Sequence, residues 1–267
     1  MHPVVHFNGE IVSPGEPSIA ATSAAALYSK GVFTTVSVRC SSPFLWDKHW
    51  RRLTRDASRL AMDLSSFPET GVREALAEVI ERNDLVSGRA RITFFCESAG
   101  GAWRRDLPDK ISLLIIAAED HIPQSPLRIT TSPFPVNSRS PLAGIKSCNY
   151  LENVMALDEA KARGFSEAIR VNTDGVVTSA VMANLFWKKG DRLYTTSIST
   201  GCLAGTTREH VLENCNCEEV SINLAELEQC DALFITSAGV GIIAVQELNS
   251  RAFDPIDHPI LTLLQNN

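Results

Sequence analysis

The chain has 267 residues, 44% of them apolar, and a formal net charge of −6 at pH 7. That length holds one large domain or two modest ones with ample core, and the mild acidity argues against a nucleic-acid partner, which would want a basic face. No apolar run approaches the length of a membrane span, and Met1-His-Pro-Val-Val-His is too polar and short for a secretory leader. The seven cysteines are scattered and odd in number, so the expectation is a cytoplasmic protein with reduced thiols and no membrane partner. Cys215-x-Cys217 lacks the second pair or nearby histidine that a metal site needs, and no metal is expected.

In chain order, Val4 to Phe7 and Glu10 to Val12 flank Asn8-Gly9, a strong hairpin signal. Val32 to Val38 reads as a strand. Trp46, Trp50, Leu53, Ala57 and Leu60 recur at helical spacing and predict a helix over roughly 47–62. A second helix is predicted over 70–81, with Val72, Ala75, Leu76 and Val79 on one face. Arg89 to Phe95 and Ile111 to Ala117 read as strands. The segment 121–126, with prolines at 123 and 126, reads as a linker between domains 1–120 and 127–267. Beyond it come a strand at 127–132, a helix at 151–163, and strands near 167–171, 184–187, 191–195, 231–236 and 240–247. The fold class is α/β or α+β in two domains.

One lysine stands out. In Pro141-Leu-Ala-Gly-Ile-Lys-Ser-Cys-Asn-Tyr150 a glycine-punctuated turn delivers Lys146, and a helical run follows at once. A lysine held rigidly and partly desolvated can lose its proton and act as a nucleophile. Three further segments accompany it: His49-Trp-Arg-Arg-Leu53 in an amphipathic helix, Gly175-Val-Val-Thr-Ser-Ala-Val-Met-Ala-Asn-Leu-Phe186, and Thr196-Ser-Ile-Ser-Thr-Gly-Cys-Leu-Ala-Gly-Thr-Thr-Arg208, which runs into a helix. The other histidines are dispersed, and His49 reads as helix packing rather than a base.

In this order the four segments resemble the fold type IV (class IV) pyridoxal-phosphate enzymes. That family holds branched-chain and D-amino acid aminotransferases and 4-amino-4-deoxychorismate lyase. The resemblance covers nearly the whole chain and implies a two-domain, D-amino acid aminotransferase-like fold. It further implies a homodimer, with each active site drawing residues from both subunits, and a small-molecule substrate.

The resemblance implies pyridoxal 5′-phosphate as cofactor, with Lys146 as the lysine joined to it and as the later proton carrier. Arg52 matches the phosphate arginine, with Arg51 as its adjacent competitor; a guanidinium fork pairs with two phosphate oxygens. Thr206 and Thr207 match the phosphate-binding pair at a helix start, where free N–H groups hold anions. Ser237 and Ala238 match a loop that closes over phosphate and substrate carboxylate. Tyr150 lies near a family tyrosine that contacts the ring hydroxyl.

Several positions depart from the family pattern. Ser179 stands where many members carry glutamate against the ring nitrogen, and a hydroxyl cannot stabilise a pyridinium charge comparably. Ser29-Lys30 replaces a common Gly-Asp. The stretch from Glu97 to Arg105 lies where many members place a substrate-facing arginine, a role left to Arg104 or Arg105. Finally, Phe33-Thr-Thr35 looks like the lyases, whereas the aminotransferases usually show Phe-Glu-Gly or Phe-Glu-Thr. The lyase pattern implies proton transfer by Thr35, although two threonines in a strand also satisfy β-propensity alone. The function implied is lysis of 4-amino-4-deoxychorismate to 4-aminobenzoate and pyruvate, a step of folate precursor synthesis. The alternatives are a D-amino or branched-chain aminotransferase, or a cofactor-binding protein with little catalysis.

Overall fold

The computed structural model describes residues 2–98, 109–120 and 126–265. The chain separates into two compact units, one of Met1–His121 with Ile145–Asn149 and one of Ile122–Gly144 with Tyr150–Asn267. Most of the expected linker, 121–125, lies outside the described residues.

In the first unit, β1 (Val5–Phe7) and β2 (Glu10–Val12) form the expected hairpin. Asn8 and Gly9 both take positive φ, 50° and 96°, as a two-residue turn of this hand requires. A short helix α1 (Ala24–Tyr28) precedes β3 (Gly31–Arg39) and β4 (Ser42–Pro43). Helices α2 (Trp46–Arg59) and α3 (Glu69–Arg82) follow, then β5 (Gly88–Cys96) and β6 (Ile111–Ala118). Among the described residues the strands make one antiparallel sheet in the order β2-β1-β6-β5-β3-β4. Along β3, Val32, Thr34, Val36 and Val38 are fully buried, which is the period-two pattern of a strand with one face under helices. The opposite face carries Phe33 and Thr35, with Arg91 of β5 directly across from Thr35.

The second unit begins with β7 (Arg128–Thr131) and α4 (Leu151–Ala162), then β8 (Glu167–Val171), β9 (Val177–Ala180), β10 (Asn184–Lys189) and β11 (Arg192–Thr196). Helix α5 (Thr206–Asn214), β12 (Cys217–Val220), α6 (Leu224–Leu227), β13 (Ala232–Ser237), β14 (Gly241–Ala244), β15 (Glu247–Leu248) and β16 (Arg251–Ala252) complete it. Two mixed sheets result, ordered β12-β11-β10-β13-β14 and β16-β15-β7-β8-β9. Ile129, Ile169 and Val177 of one sheet pack with Leu185, Trp187, Leu233 and Ile235 of the other. Helix α4 covers the far face of the β8 sheet through Ala156 and Ala160, and α5 covers that of the β10 sheet through Val211.

Two expectations need correction. The strand expected over 240–247 stops at Ala244, and Glu247–Leu248 forms a separate strand that pairs in parallel with β7 in the other sheet. The lysine segment, assigned from sequence to the second domain, packs with the first unit. Ser147 bridges to Val32, Phe33 N–H donates to Lys146 O at 3.0 Å, and Cys148 N–H donates to Gly31 O at 2.8 Å. A backbone ladder along the edge of β3 outweighs the position in the chain.

Candidate active site

Lys146 lies beside β3, and its backbone N–H donates to Asp56 Oδ2 at 2.9 Å. Asp56 sits on the inner face of α2 and is 1% exposed. Its other oxygen takes the Arg55 guanidinium at 2.8 Å. The lysine backbone is therefore pinned to a helix on one side and a strand on the other. Its amine stands 4.5 Å from the centroid of the Phe33 ring, on the face that also carries Thr35 and Arg91. The Arg91 guanidinium lies 3.6 Å from the same centroid. Burial, reinforced by the positive charges of Arg52 and Arg91, lowers the Lys146 pKa to about 7, and Asp56 opposes that shift. Such an amine is part neutral at physiological pH, as a nucleophile needs.

The opposite face of β3 holds a second chain of contacts. Arg52 Nη2 donates to Thr34 Oγ1 at 2.8 Å, and Thr34 Oγ1 lies 2.7 Å from His49 Nδ1. The guanidinium can only donate, so the threonine hydroxyl oxygen accepts from Arg52 while sharing a hydrogen bond with the imidazole. Burial, with Arg52 and Lys146 adding to it, holds His49 well below its ordinary pKa and keeps it neutral. Helical rotation separates Arg51, which is exposed, from Arg52, which is buried.

In the second unit α5 starts at Thr206 after Gly205, an N-cap residue that has no side chain to cap the helix. Thr206 and Thr207 are both buried. A Cβ built at Gly205 would overlap the side-chain oxygen of Asn184, so a larger residue there would have to displace Asn184. Asn184 Nδ2 also donates to Leu203 O at 2.8 Å, fixing the turn before the helix. Asn184 pairs across β10–β13 with Thr236, immediately before Ser237 and Ala238. The Thr236 hydroxyl is buried without a hydrogen-bond partner among the described residues. The second unit thus gathers the α5 start, Asn184 and the Thr236–Ala238 segment at one end of the sheet.

Ser179 lies on β9, half-buried and directly across from Arg170 of β8. Tyr150, the residue before α4, acts electrostatically on that same arginine. Thus Tyr150 and Ser179 share a neighbour that sequence patterning does not reveal. Arg104 and Arg105 lie outside the described residues. Arg91, Thr34 and Asp56 also escape a reading from sequence. For Asp56 a signal existed: with His49 and Arg52 it places polar groups at helical spacing on the apolar face of α2.

The family model of amino-transferase class IV matches residues 31–248. The chain is 28% identical over 216 residues to the aminodeoxychorismate lyase of Bacillus subtilis (strain 168), covering 79% of this chain and 73% of that protein. It is also 28% identical over 279 residues to the D-alanine aminotransferase of Bacillus licheniformis, covering 98% of this chain and 96% of that one. The solved branched-chain amino acid aminotransferase of Escherichia coli superposes with a TM-score of 0.91 at 20% identity over 99% of this chain and 93% of that one, a likeness of fold.

Proposed function

Because the chain belongs to the class IV aminotransferase family, whose members are pyridoxal-phosphate enzymes, we propose that it is a lyase converting 4-amino-4-deoxychorismate to 4-aminobenzoate and pyruvate. The observation that carries this reading is the placement of Thr35: its side chain leaves β3 on the face where the Lys146 amine lies over Phe33. A hydroxyl there can pass a proton to a departing enol oxygen, which the glycine common in aminotransferases cannot do.

The residues present fit the cofactor. Lys146 offers an amine with a pKa near 7, and α5 offers a helix start that follows a glycine packed against the Asn184 side chain. When bound, pyridoxal phosphate supplies an aldehyde for amines and a ring that draws electrons from the bonds next to them.

The chain's own residues do the rest. Lys146, once released by the substrate amine, takes the proton from the amine-bearing ring carbon. Thr35 donates a proton to the oxygen that leaves with the three-carbon fragment. Arg91 presents a cation to a substrate carboxylate on the same face, a duty that Arg104 and Arg105 would share. Arg52 and the N–H groups of Thr206 and Thr207 hold phosphate. Ser237 and the Ala238 N–H close over it. Tyr150 meets the ring hydroxyl and Ser179 the ring nitrogen.

We place the enzyme in the cytoplasm as a homodimer in folate precursor synthesis. Leu151, Val154 and Met155, exposed at helical spacing on α4, support self-association, and sedimentation velocity tests it. The test of function is release of pyruvate and 4-aminobenzoate together from 4-amino-4-deoxychorismate by the cofactor-loaded protein, lost in Lys146→Ala. Absence of release from protein that holds its cofactor would reject the lyase. The second reading, an aminotransferase, draws on the D-alanine aminotransferase relative that spans 98% of this chain. Conversion of the cofactor to its amine form by D-amino or branched-chain amino acids alone would support it.

A further inference from the structure

Arg170 and Ser179 stand opposite one another in the antiparallel β8–β9 pair, so their side chains leave the same face of the sheet. It is the face covered by α4, since Ala168, two residues before Arg170, packs on Ala156 and Ala160. Arg170 is 3% exposed. Its Nε donates to Phe134 O at 3.0 Å and its Nη2 to Pro135 O at 3.4 Å. The carboxylate that pairs with it, Glu152, is 3.8 Å away with its side chain in solvent. Burial lowers the arginine's pKa, with Glu152 and Tyr150 opposing, yet a guanidinium stays charged at any working pH. A buried cation is therefore carried at the strand position paired with Ser179, met chiefly by two carbonyl oxygens. An apolar residue would fill this strand position without that desolvation cost, and no step proposed above uses the charge.

We infer that Arg170 and Ser179 act together on the cofactor ring, and that Arg170 is a positioning residue whose charge keeps the ring nitrogen unprotonated. The inference rests on the reading above in which Ser179 meets that nitrogen. A fixed cation disfavours a second positive charge nearby, and a serine hydroxyl donates to an unprotonated nitrogen where a carboxylate only accepts. The same cation favours the anionic form of the ring hydroxyl beside Tyr150. An unprotonated ring draws electrons less strongly. That handicaps transamination more than an elimination whose product gains aromaticity, so the pair biases the choice between the two chemistries.

The experiment is 15N NMR of the holoprotein loaded with pyridoxal phosphate labelled at the ring nitrogen, followed across pH. The wild type and Arg170→Lys should show an unprotonated nitrogen at neutral pH. In Arg170→Gln, which keeps a hydrogen-bonding side chain but no charge, the protonation midpoint should rise by about one pH unit or more. A protonated nitrogen in the wild type overturns the inference, even where Arg170→Gln does not fold. So does a midpoint unmoved in a folded Arg170→Gln protein. A wild type that fails to take up the cofactor rejects the underlying reading of the site, which is a distinguishable result.

Discussion

The side-chain amine of Lys146 and the ring of Phe33 are 4.5 Å apart, centroid to nitrogen, while the lysine's own N–H is tied to Asp56. The aromatic ring shields the amine from water on one side, and the helix carboxylate fixes the backbone that carries it. Burial, with the positive charges of Arg52 and Arg91 adding to it and Asp56 opposing, brings the amine's pKa to about 7. Uptake of pyridoxal phosphate by the apoprotein should therefore accelerate with rising pH and level off above about 7. Stopped-flow absorbance measures this. A rate still climbing between pH 8 and 10 would mean that the amine is not depressed.

The same shift has a consequence for stability. Between pH 7 and 10.5 the unfolded chain binds a proton at Lys146 that the folded chain does not, so this group's contribution to stability rises with pH across that window. Lys146→Met removes the dependence. Urea midpoints of the two apoproteins at pH 7 and pH 10 should converge towards the alkaline end.

Thr34 and Thr35 are neighbours on opposite faces of β3, and the proposed function gives them separate duties. Thr35→Ala should lower pyruvate release by about 100-fold, the scale of one lost proton transfer, with cofactor affinity unchanged. Thr34→Ala removes the hydroxyl between Arg52 and His49. It should cost about 1–3 kcal/mol of stability and weaken phosphate retention. Equal effects of the two substitutions on turnover alone would defeat this division.

Gly205→Ala drives a methyl into the Asn184 side chain. Moving Asn184 breaks its bond to Leu203 O and shifts the start of α5. Binding of inorganic phosphate to the apoprotein, read by calorimetry, should weaken at least tenfold, about 1.4 kcal/mol. Unchanged affinity would place the anion elsewhere.

Glu167 accepts backbone N–H groups of Ala168, Val181 and Met182 at 2.9, 3.0 and 3.1 Å, and burial raises its pKa to about 7 against those three donors. From the ordinary 4.5 to 7 the folded state binds the extra proton, so the contribution of this group to stability falls as pH rises through that range. Glu167→Gln should abolish the fall. Glu167→Ala, which strands the buried donors, should cost about 3 kcal/mol at neutral pH. Thermal unfolding of the three proteins from pH 5 to 8 checks both statements.

The elements were legible in the sequence wherever burial imposed a period. The Asn8-Gly9 hairpin, α2, α3 and the strands β3, β5 and β6 are stretches where one face must be apolar, and a local window holds that signal. Lys146 was readable from its glycine turn and the helical run behind it, and the start of α5 from the glycine before Thr206. Each is a local pattern of a few residues that sets the backbone around the group. Arg91 and Arg170 were not readable. A charged residue in an alternating pattern looks solvent-facing until its neighbours are known.

By itself, then, the sequence determined the element types, the chemistry on offer and the resemblance from which a cofactor was expected, because these depend on residue identity and spacing along the chain. Only the tertiary structure decided which charges act on which groups. Arg52 rather than Arg51 turns inward because of helix rotation. Lys146 joins the first unit because its backbone completes the edge of β3. Arg170 pairs with Ser179 because antiparallel register, fixed by packing on both faces of a sheet, sets these two residues of neighbouring strands opposite one another.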